Sequence, residues 1–263
     1  MAIAPRDLKK HLAGGGKAVN GWCGIPSTVT AETVARQGFD TVTVDLQHGL
    51  IDYQTAVSMA QVIDGHVPAL VRVPWNEQGI IGKVLDAGFV GVICPMINTR
   101  AEAERLATAC RYAPRGSRSF GPIRAMSIHG SDYATAAQDF ITAIAMIETA
   151  EALSNLDAIL DVPEIDGVYI GPSDLSISLG YAPSLLPKDK AVVDAIETIR
   201  SRAKAAGKIA GIHCGSGEMV RDMLDGGFDL ATLLGDLRLM VMGMTSELAK
   251  VRAPRGAEVK GQY

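Results

Sequence analysis

The chain has 263 residues, of which 48% are hydrophobic, and its formal net charge is −4. This length suits one barrel domain of roughly 250 residues, and the mild acidity gives no reason to expect nucleic acid or a membrane as partner. No stretch approaches about 18 consecutive apolar residues and the N-terminus lacks a signal-peptide core, so we predict a cytoplasmic protein. The cysteines lack paired spacing, which predicts reduced thiols rather than a zinc site (Cys23, Cys94, Cys110, Cys214).

In chain order, short apolar runs alternate with helical patterns. A predicted helix at 6–12 is followed by a glycine-rich segment that ends at residue 16. The runs predicted as strands are 18–22, 41–44, 69–73, 91–94, 142–147, 167–170, 209–213 and 230–234. The predicted helices are 30–37, 53–63, 79–86, 101–112, 132–140, 149–160, 189–205, 217–225 and 236–250.

Two segments interrupt this alternation. Residues 113–130 are rich in Pro, Gly, Ser and Arg and are predicted to be irregular, and the polar tail 252–263 is predicted to be loose. Glycines at three helix ends each precede a Phe and a strand (Gly38, Gly88, Gly227), as expected for left-handed helix caps.

Eight strand–helix units predict an α/β fold with a parallel sheet. Their number in one domain, residues 1–263, favours a closed (β/α)₈ TIM barrel over an open doubly wound sheet. The first strand is not followed by Gly-x-Gly-x-x-Gly, which also argues against a dinucleotide-binding fold.

Polar side chains collect at the predicted C-terminal ends of the strands, where barrel enzymes place their active sites. Taken singly, each has a structural explanation: a carboxylate can cap the next helix, an arginine can pair with a structural acid, and a tryptophan can pack at the rim. Together, two acids, a histidine and an arginine at successive strand ends favour one site. The set is Trp22, Asp45, Gln47, His48, Arg72, Glu148, Asp174 and His213.

These residue types fit one reaction. Glu148 and Asp174, with the oxygens of a 2-oxo acid, would form part of an octahedral Mg²⁺ or Mn²⁺ shell. Arg72 would stabilise negative charge developing on the keto oxygen. His48, oriented by Asp45, is the candidate general base because its ordinary pKa lies near neutrality.

Four motifs in this order resemble the HpcH/HpaI family of class II, metal-dependent 2-oxo acid aldolases, in the phosphoenolpyruvate/pyruvate barrel superfamily. The resemblance extends from about Gly21 to Leu248. The motifs are Asp45-Leu46-Gln47-His48-Gly49, Val71-Arg72-Val73-Pro74, Ile147-Glu148-Thr149 and Gly171-Pro172-Ser173-Asp174-Leu175-Ser176.

The resemblance implies a TIM barrel whose last helix is swapped between subunits, commonly in a hexamer. It implies a divalent metal on Glu148 and Asp174 (Mg²⁺ or Mn²⁺, with Co²⁺ an alternative) and a keto oxygen near Arg72. His48 with Asp45 would take the proton of the 4-hydroxyl through water, releasing pyruvate, or a related 2-oxo acid, and an aldehyde.

The resemblance also implies that the backbone around Ser173 and Asp174 binds the pyruvate carboxylate, and we predict further substrate contacts from Trp22, Gln47 and His213. The segment 114–118 resembles a family segment near the subunit interface. The chain departs from the family pattern at Gln47, usually Glu, and at Met146, often Gln. These departures affect the prediction of substrate choice rather than of reaction class.

Three alternatives remain at this point. A citramalyl- or malyl-CoA lyase would share the barrel and metal pair but would need a CoA site, and no basic tract suits one. A Schiff-base aldolase would need a lysine at a strand C-terminus, whereas Lys17 and Lys208 precede their strands. A non-catalytic barrel scaffold would not need acid, base and electrophile together.

Overall fold

Eight short, mostly apolar runs form the wall of a closed barrel in the computed structural model, which describes residues 3–252. All neighbouring strands are parallel, and the barrel closes where Ala18 of the first strand pairs with Leu230 of the last. The strands are β1 Ala18–Cys23, β2 Thr41–Asp45, β3 Ala69–Arg72, β4 Gly91–Cys94, β5 Thr142–Ile147, β6 Gly167–Ile170, β7 Ile209–Cys214 and β8 Leu230–Leu233. The predicted (β/α)₈ barrel is confirmed.

Helices connect the strands and cover the outside of the barrel. A 3₁₀ turn at Pro5–Asp7 precedes the first of them. The α-helices are α1 Leu8–Ala13, α2 Thr28–Ala35, α3 Tyr53–Ile63, α4 Gln78–Asp86, α5 Arg100–Cys110, α6 Ile123–His129, α7 Tyr133–Phe140, α8 Ala150–Ser154, α9 Leu156–Leu160, α10 Pro172–Ser178, α11 Lys190–Ala205, α12 Gly217–Asp225 and α13 Asp236–Arg252.

Three helical features differ from the sequence-based expectation. The segment predicted to be irregular contains α6, where the Arg124 guanidinium binds the carbonyl of Ala87 and the carboxylate of Asp64. The helix predicted over 149–160 is divided at Asn155, whose side chain donates to the carbonyl of Asn98 at 2.8 Å. The loop expected after β6 begins with α10.

Alternation along each strand decides which side chains face the barrel interior. Asn20 and Trp22 point inward, as their hydrogen bonds to Thr232 and Asp45 show. Gly21 lies between them, and a Cβ there would be 3.2 Å from the ring of Phe39 on the outer side. Period-two alternation therefore places functional side chains two residues apart on one strand.

Buried charges close the opposite, N-terminal end of the barrel. The guanidinium of Arg111 is fully buried and donates to Asp166 at 2.6 Å and to Glu164 at 2.9 Å. Arg115 also binds Glu164, at 2.8 Å. In the segment predicted to lie near a subunit interface, Arg115 and Arg118 thus make ion pairs within the chain, Arg118 with Asp86 at 2.7 Å. Whether the segment also contacts another subunit stays a prediction.

The last helix, α13, is 17 residues long, and Asp236 is the one buried residue in it. Much of its surface is apolar and exposed, namely Leu237, Met240, Val241, Met242, Met244, Leu248 and Val251. Of the tail predicted to be loose, only Arg252 belongs to the described residues, and it ends α13. None of the helices within 3–252 combines the length and apolarity needed to span a membrane.

The cysteines and the cap glycines behave as predicted. All four cysteines are buried free thiols (Cys23, Cys94, Cys110, Cys214). Gly38, Gly88 and Gly227 have φ values of 90°, 103° and 101°, in the left-handed region that glycine adopts without steric cost.

Two glycines at helix α4 give a matched test of this backbone argument. A Cβ on Gly82, inside the helix, would meet nothing within 4 Å, whereas one on Gly88 would lie 2.4 Å from the Ile128 side chain. Gly82→Ala should raise the free energy of unfolding by about 0.5–1 kcal/mol. Gly88→Ala should lower it by at least about 1–2 kcal/mol. Urea denaturation measures both, and equal effects of the same sign would contradict the assignment.

Candidate active site

A cavity of about 180 Å³ opens at the C-terminal ends of the strands. Five of the residues predicted from the sequence line it: Trp22, Arg72, Ser173, Asp174 and His213. These residues come from β1, β3, α10 and β7, and the barrel brings them together across nearly 200 positions of sequence.

Asp45, at the end of β2, is the hydrogen-bonding centre of this mouth. Its Oδ1 accepts from Nε of Arg72 at 2.8 Å, and its Oδ2 accepts from Nη2 at 2.5 Å. Trp22 Nε1 donates to Oδ2 at 3.2 Å, and the backbone N–H groups of Gln47 and His48 donate to Oδ1 at 3.0 and 3.3 Å. The bidentate geometry fixes the direction of the guanidinium.

Two opposing effects act on the pKa of Asp45. Burial alone raises it, but the hydrogen bonds and positive charge of Arg72, followed by the N–H groups of Gln47 and His48, outweigh burial and lower it below the ordinary value. Asp45 is therefore a carboxylate at neutral pH, and Arg72 has a permanent counterion.

The structure differs from the expectation that Asp45 orients the imidazole of His48. Both carboxylate oxygens are engaged by Arg72, Trp22 and backbone N–H groups, and His48 contributes its backbone N–H. The His48 side chain is exposed and makes no hydrogen bond with residues 3–252. Asp45 therefore acts on the loop after β2 and on Arg72, and only through the loop on His48.

Glu148 follows β5 and is almost completely buried, with 3% of its surface exposed. Its Oε1 accepts from the backbone N–H of Met96 at 2.8 Å; Met96 has a φ of 55°, unusual for a residue other than glycine. Its Oε2 has no hydrogen bond from the described part of the chain. A Cβ on Gly171 would be 2.7 Å from Oε2, so the glycine leaves room beside that oxygen.

Burial, and then the charge of nearby Asp174, raise the pKa of Glu148 to about 6, although Arg72 opposes the shift. Asp174 is exposed in the first turn of α10 and makes no salt bridge with the described residues. The two carboxylates are thus close together, and neither forms a salt bridge with a basic side chain of residues 3–252.

The first turn of α10 supplies backbone donors next to these acids. Its first intrahelical bond runs from the N–H of Leu175 to the carbonyl of Gly171 at 3.0 Å. The N–H groups of Ser173 and Asp174 therefore have no acceptor within the helix.

Three rings, those of Trp22, Tyr169 and His213, form another part of the cavity wall. Trp22 stacks on Tyr169 with centroids 6.0 Å apart, and it meets His213 edge-on at 5.1 Å. The Arg72 guanidinium carbon lies 4.8 Å from the Trp22 ring centroid. Burial, and then the positive charge of Arg72, lower the pKa of His213 to about 4, so its imidazole is neutral at pH 7.

Four predicted site residues do not line the cavity, namely Asp45, Gln47, His48 and Glu148, whereas Met146, Tyr169 and Leu185 line it without having been predicted as site residues. The side chain of Gln47 does not line the cavity, and its Oε1 is buried without a hydrogen-bond partner in the described residues. Tyr169 was taken only as part of an apolar strand, yet it lines the cavity with Met146. Its position two residues before Gly171 was the available signal, since alternation turns both inward.

Known proteins match this chain over nearly its full length. Residues 22–240 match the HpcH/HpaI aldolase/citrate lyase family. The chain belongs to that family. The hydroxypyruvate/pyruvate aldolase of Rhizorhabdus wittichii is 46% identical over 240 residues, covering 91% of this chain and 96% of the relative. The 4-hydroxy-2-oxo-heptane-1,7-dioate aldolase of Salmonella arizonae is 34% identical, covering 94% and 95%.

Solved structures agree with the fold. An HpcH/HpaI aldolase/citrate lyase family protein from Burkholderia cenocepacia superposes with a TM-score of 0.88 at 26% identity, covering 94% of this chain and 100% of that one. The citrate lyase beta subunit of M. tuberculosis, solved with oxaloacetate and magnesium, shares the fold at 20% identity and a TM-score of 0.57, covering 88% and 96%.

The charge on Asp45 makes a testable contribution to stability. An unfolded aspartate has a pKa near 3.9, and the native pKa lies lower, so the stabilisation is complete well above that value and is lost as pH falls through the native pKa. The free energy of unfolding of wild type should therefore exceed that of Asp45→Asn at pH 7, and the difference should shrink below about pH 4.

Denaturant titrations from pH 7 to 3 measure this difference. Asp225→Asn, at an exposed carboxylate that is 74% accessible, controls for the removal of one acid. A difference between wild type and Asp45→Asn that is constant over the whole range would contradict an ionised, Arg72-paired Asp45.

Proposed function

We propose that this chain is a metal-dependent aldolase that reversibly cleaves 4-hydroxy-2-oxo acids to pyruvate, or a related 2-oxo acid, and an aldehyde. One observation carries the proposal: two carboxylates that make no salt bridge with the described residues, Glu148 and Asp174, lie close together at the same barrel mouth as a guanidinium held by Asp45. The aldolase names of the 46% and 34% identical relatives support the same reaction class.

The donor set fits a hard divalent cation such as Mg²⁺ or Mn²⁺. Oε2 of Glu148 is free beside Gly171, and the mutual repulsion of Glu148 and Asp174 favours a cation between them. Within residues 3–252 no three His, Cys, Asp or Glu side chains cluster, so water and substrate oxygens would complete the shell, as is usual for Mg²⁺. When bound, the cation would supply Lewis acidity to the 2-oxo group.

Arg72 is assigned to the keto oxygen of the substrate. Two of its nitrogens, Nε and Nη2, are held by Asp45, whereas Nη1 makes no hydrogen bond with the described residues. Nη1 would donate to that oxygen and stabilise the negative charge it gains as the carbon–carbon bond breaks. Asp45 is a positioning residue in this scheme because it directs the donor.

His48 is the proposed general base for the 4-hydroxyl proton. Its ring is exposed at the mouth and is not held by a hydrogen bond to the described residues, so it can approach the substrate directly or through water. The free N–H groups of Ser173 and Asp174 would bind the substrate carboxylate. Trp22 and His213 would contact the rest of the substrate. Gln47, which does not line the cavity, would affect substrate binding through the loop after β2, where its N–H donates to Asp45.

A Schiff-base mechanism is not supported by the lysines near the barrel. Lys208 precedes β7, and its Nζ donates to the carbonyls of Ile165 at 2.6 Å and Val162 at 3.1 Å. Lys17 precedes β1, where its Nζ is 3.5 Å from Asp225. Both ammonium groups lie at the N-terminal end of the barrel, far from the cavity.

The proposal includes a cytoplasmic homo-oligomer, a hexamer in which α13 is exchanged between subunits. The exposed apolar side chains of α13 support it, because a helix with so little buried surface needs a further contact. The four free thiols suit a reducing compartment.

Removal of the cation tests the metal assignment. Excess EDTA should abolish cleavage, and readdition of Mg²⁺ or Mn²⁺ should restore it. Calorimetry should show that Glu148→Gln loses Mn²⁺ binding, while Glu151→Gln, at an exposed acid three residues away, binds as wild type does. Full activity in EDTA, or a lysine adduct trapped by borohydride, would refute the assignment.

The base and the metal ligands should be separable by mutation. His48→Ala should retain Mn²⁺ and pyruvate binding in calorimetry but lose cleavage by roughly 10²–10⁴-fold, the usual contribution of a general base. Cleavage of a 4-hydroxy-2-oxo acid at the wild-type rate by His48→Ala would show that another group takes the proton. Loss of Mn²⁺ binding by this variant would place His48 with the ligands instead.

A further inference from the structure

A row of polar side chains crosses the barrel interior beneath the cavity. Thr43 Oγ1 donates to Asn20 Oδ1 at 3.1 Å, and Asn20 Nδ2 donates to Thr232 Oγ1 at 2.8 Å. The Tyr169 hydroxyl donates to the same Thr232 oxygen at 2.5 Å. All four side chains are buried, and the large majority of buried polar groups in proteins are hydrogen-bonded. The row therefore joins β1, β2, β6 and β8.

The row ends at His213. The Tyr169 oxygen is 3.3 Å from Nδ1 of His213. If the phenol gives its single hydrogen to Thr232, it can only accept toward His213, and the ring hydrogen then lies on Nδ1. Gly211 permits this contact, because a Cβ there would lie 2.7 Å from the Tyr169 ring.

This arrangement gives the cavity a hydrogen-bond acceptor. With the imidazole neutral and Nδ1 protonated, Nε2 keeps a lone pair, and it makes no hydrogen bond with the described residues. His213 lines the cavity next to Trp22. The low pKa of His213 makes its imidazole a poor general base. The lone pair on Nε2 is therefore suited to accepting a hydrogen bond from a bound ligand.

We propose that Nε2 of His213 accepts a hydrogen bond from a hydroxyl group on the carbon chain of the substrate, and that Tyr169 is the positioning residue that sets the tautomer. This inference rests on the proposed aldolase function. The hydroxyl can come from the 2-oxo acid, as in hydroxypyruvate, or from the aldehyde, as in glycolaldehyde. His213→Leu would remove the acceptor, so the variant would no longer favour a substrate that carries this hydroxyl.

Kinetic preference tests the recognition. In one arm, kcat/KM is compared for hydroxypyruvate and pyruvate with acetaldehyde as partner; in the other, for glycolaldehyde and acetaldehyde with pyruvate. His213→Leu should lower the preference for the hydroxylated compound about tenfold in one arm, as for loss of one hydrogen bond. The arm that changes identifies the source.

His213→Gln should keep part of the preference because its Oε1 can accept. Tyr169→Phe should reduce the preference although it leaves His213 in place. The proposal would be overturned if His213→Leu kept the wild-type preference for the hydroxylated compound in both arms. It would also be overturned if His213→Leu and His213→Gln showed the same preference.

A measurement without turnover separates this inference from the aldolase proposal. The imidazole resonances of His213 can be assigned by ¹⁵N NMR, because they are missing in His213→Gln. At pH 7 they should show a protonated Nδ1 and an unprotonated Nε2. Hydroxypyruvate or glycolaldehyde should shift the Nε2 resonance more than pyruvate or acetaldehyde does. A protonated Nε2, or equal shifts, overturns the inference even if cleavage is normal. Absence of cleavage with the expected NMR result overturns only the aldolase function.

Discussion

The ion pair between Asp45 and Arg72 is the interaction on which the rest of the site depends. These residues are paired in register at the ends of β2 and β3, so the parallel barrel places a carboxylate and a guanidinium side by side. Two hydrogen bonds fix the plane of the guanidinium, and Trp22 is held by the same carboxylate and packs against Arg72. A guanidinium on a side chain that is only 11% exposed would carry a large desolvation cost without this partner.

The positive and negative charges at the mouth differ in whether they have a partner within the described residues. Arg72 forms a salt bridge with Asp45, whereas Glu148 and Asp174 form none within the described part of the chain. The guanidinium of Arg72 is held in place by Asp45 and can therefore point at a substrate oxygen without moving. The carboxylates of Glu148 and Asp174, which have no such partner in the described residues, attract a metal ion. The same guanidinium helps keep His213 neutral. One anchored charge therefore affects the acidity of the groups on the cavity wall.

Much of this architecture could be predicted from the sequence because it depends on local pattern. Each strand end, each cap glycine and each polar residue after an apolar run can be recognised from its immediate neighbours in the chain. The barrel topology then brings the strand ends together. The partner of Asp45 could not be predicted, because His48 is near in sequence while Arg72 becomes a neighbour only through strand register. Tyr169 escaped notice because its hydroxyl has meaning only beside Thr232, on another strand.

Exchange of the methyl protons of pyruvate with D₂O, followed by ¹H NMR without any aldehyde, tests the central claim most directly. The account predicts exchange in the presence of Mg²⁺ or Mn²⁺, because a cation held by Glu148 and Asp174 would supply Lewis acidity to the 2-oxo group and Arg72 would stabilise negative charge on its oxygen. Chelation should stop the exchange. Exchange that persists in excess EDTA, or no exchange with the cation present, would contradict the account.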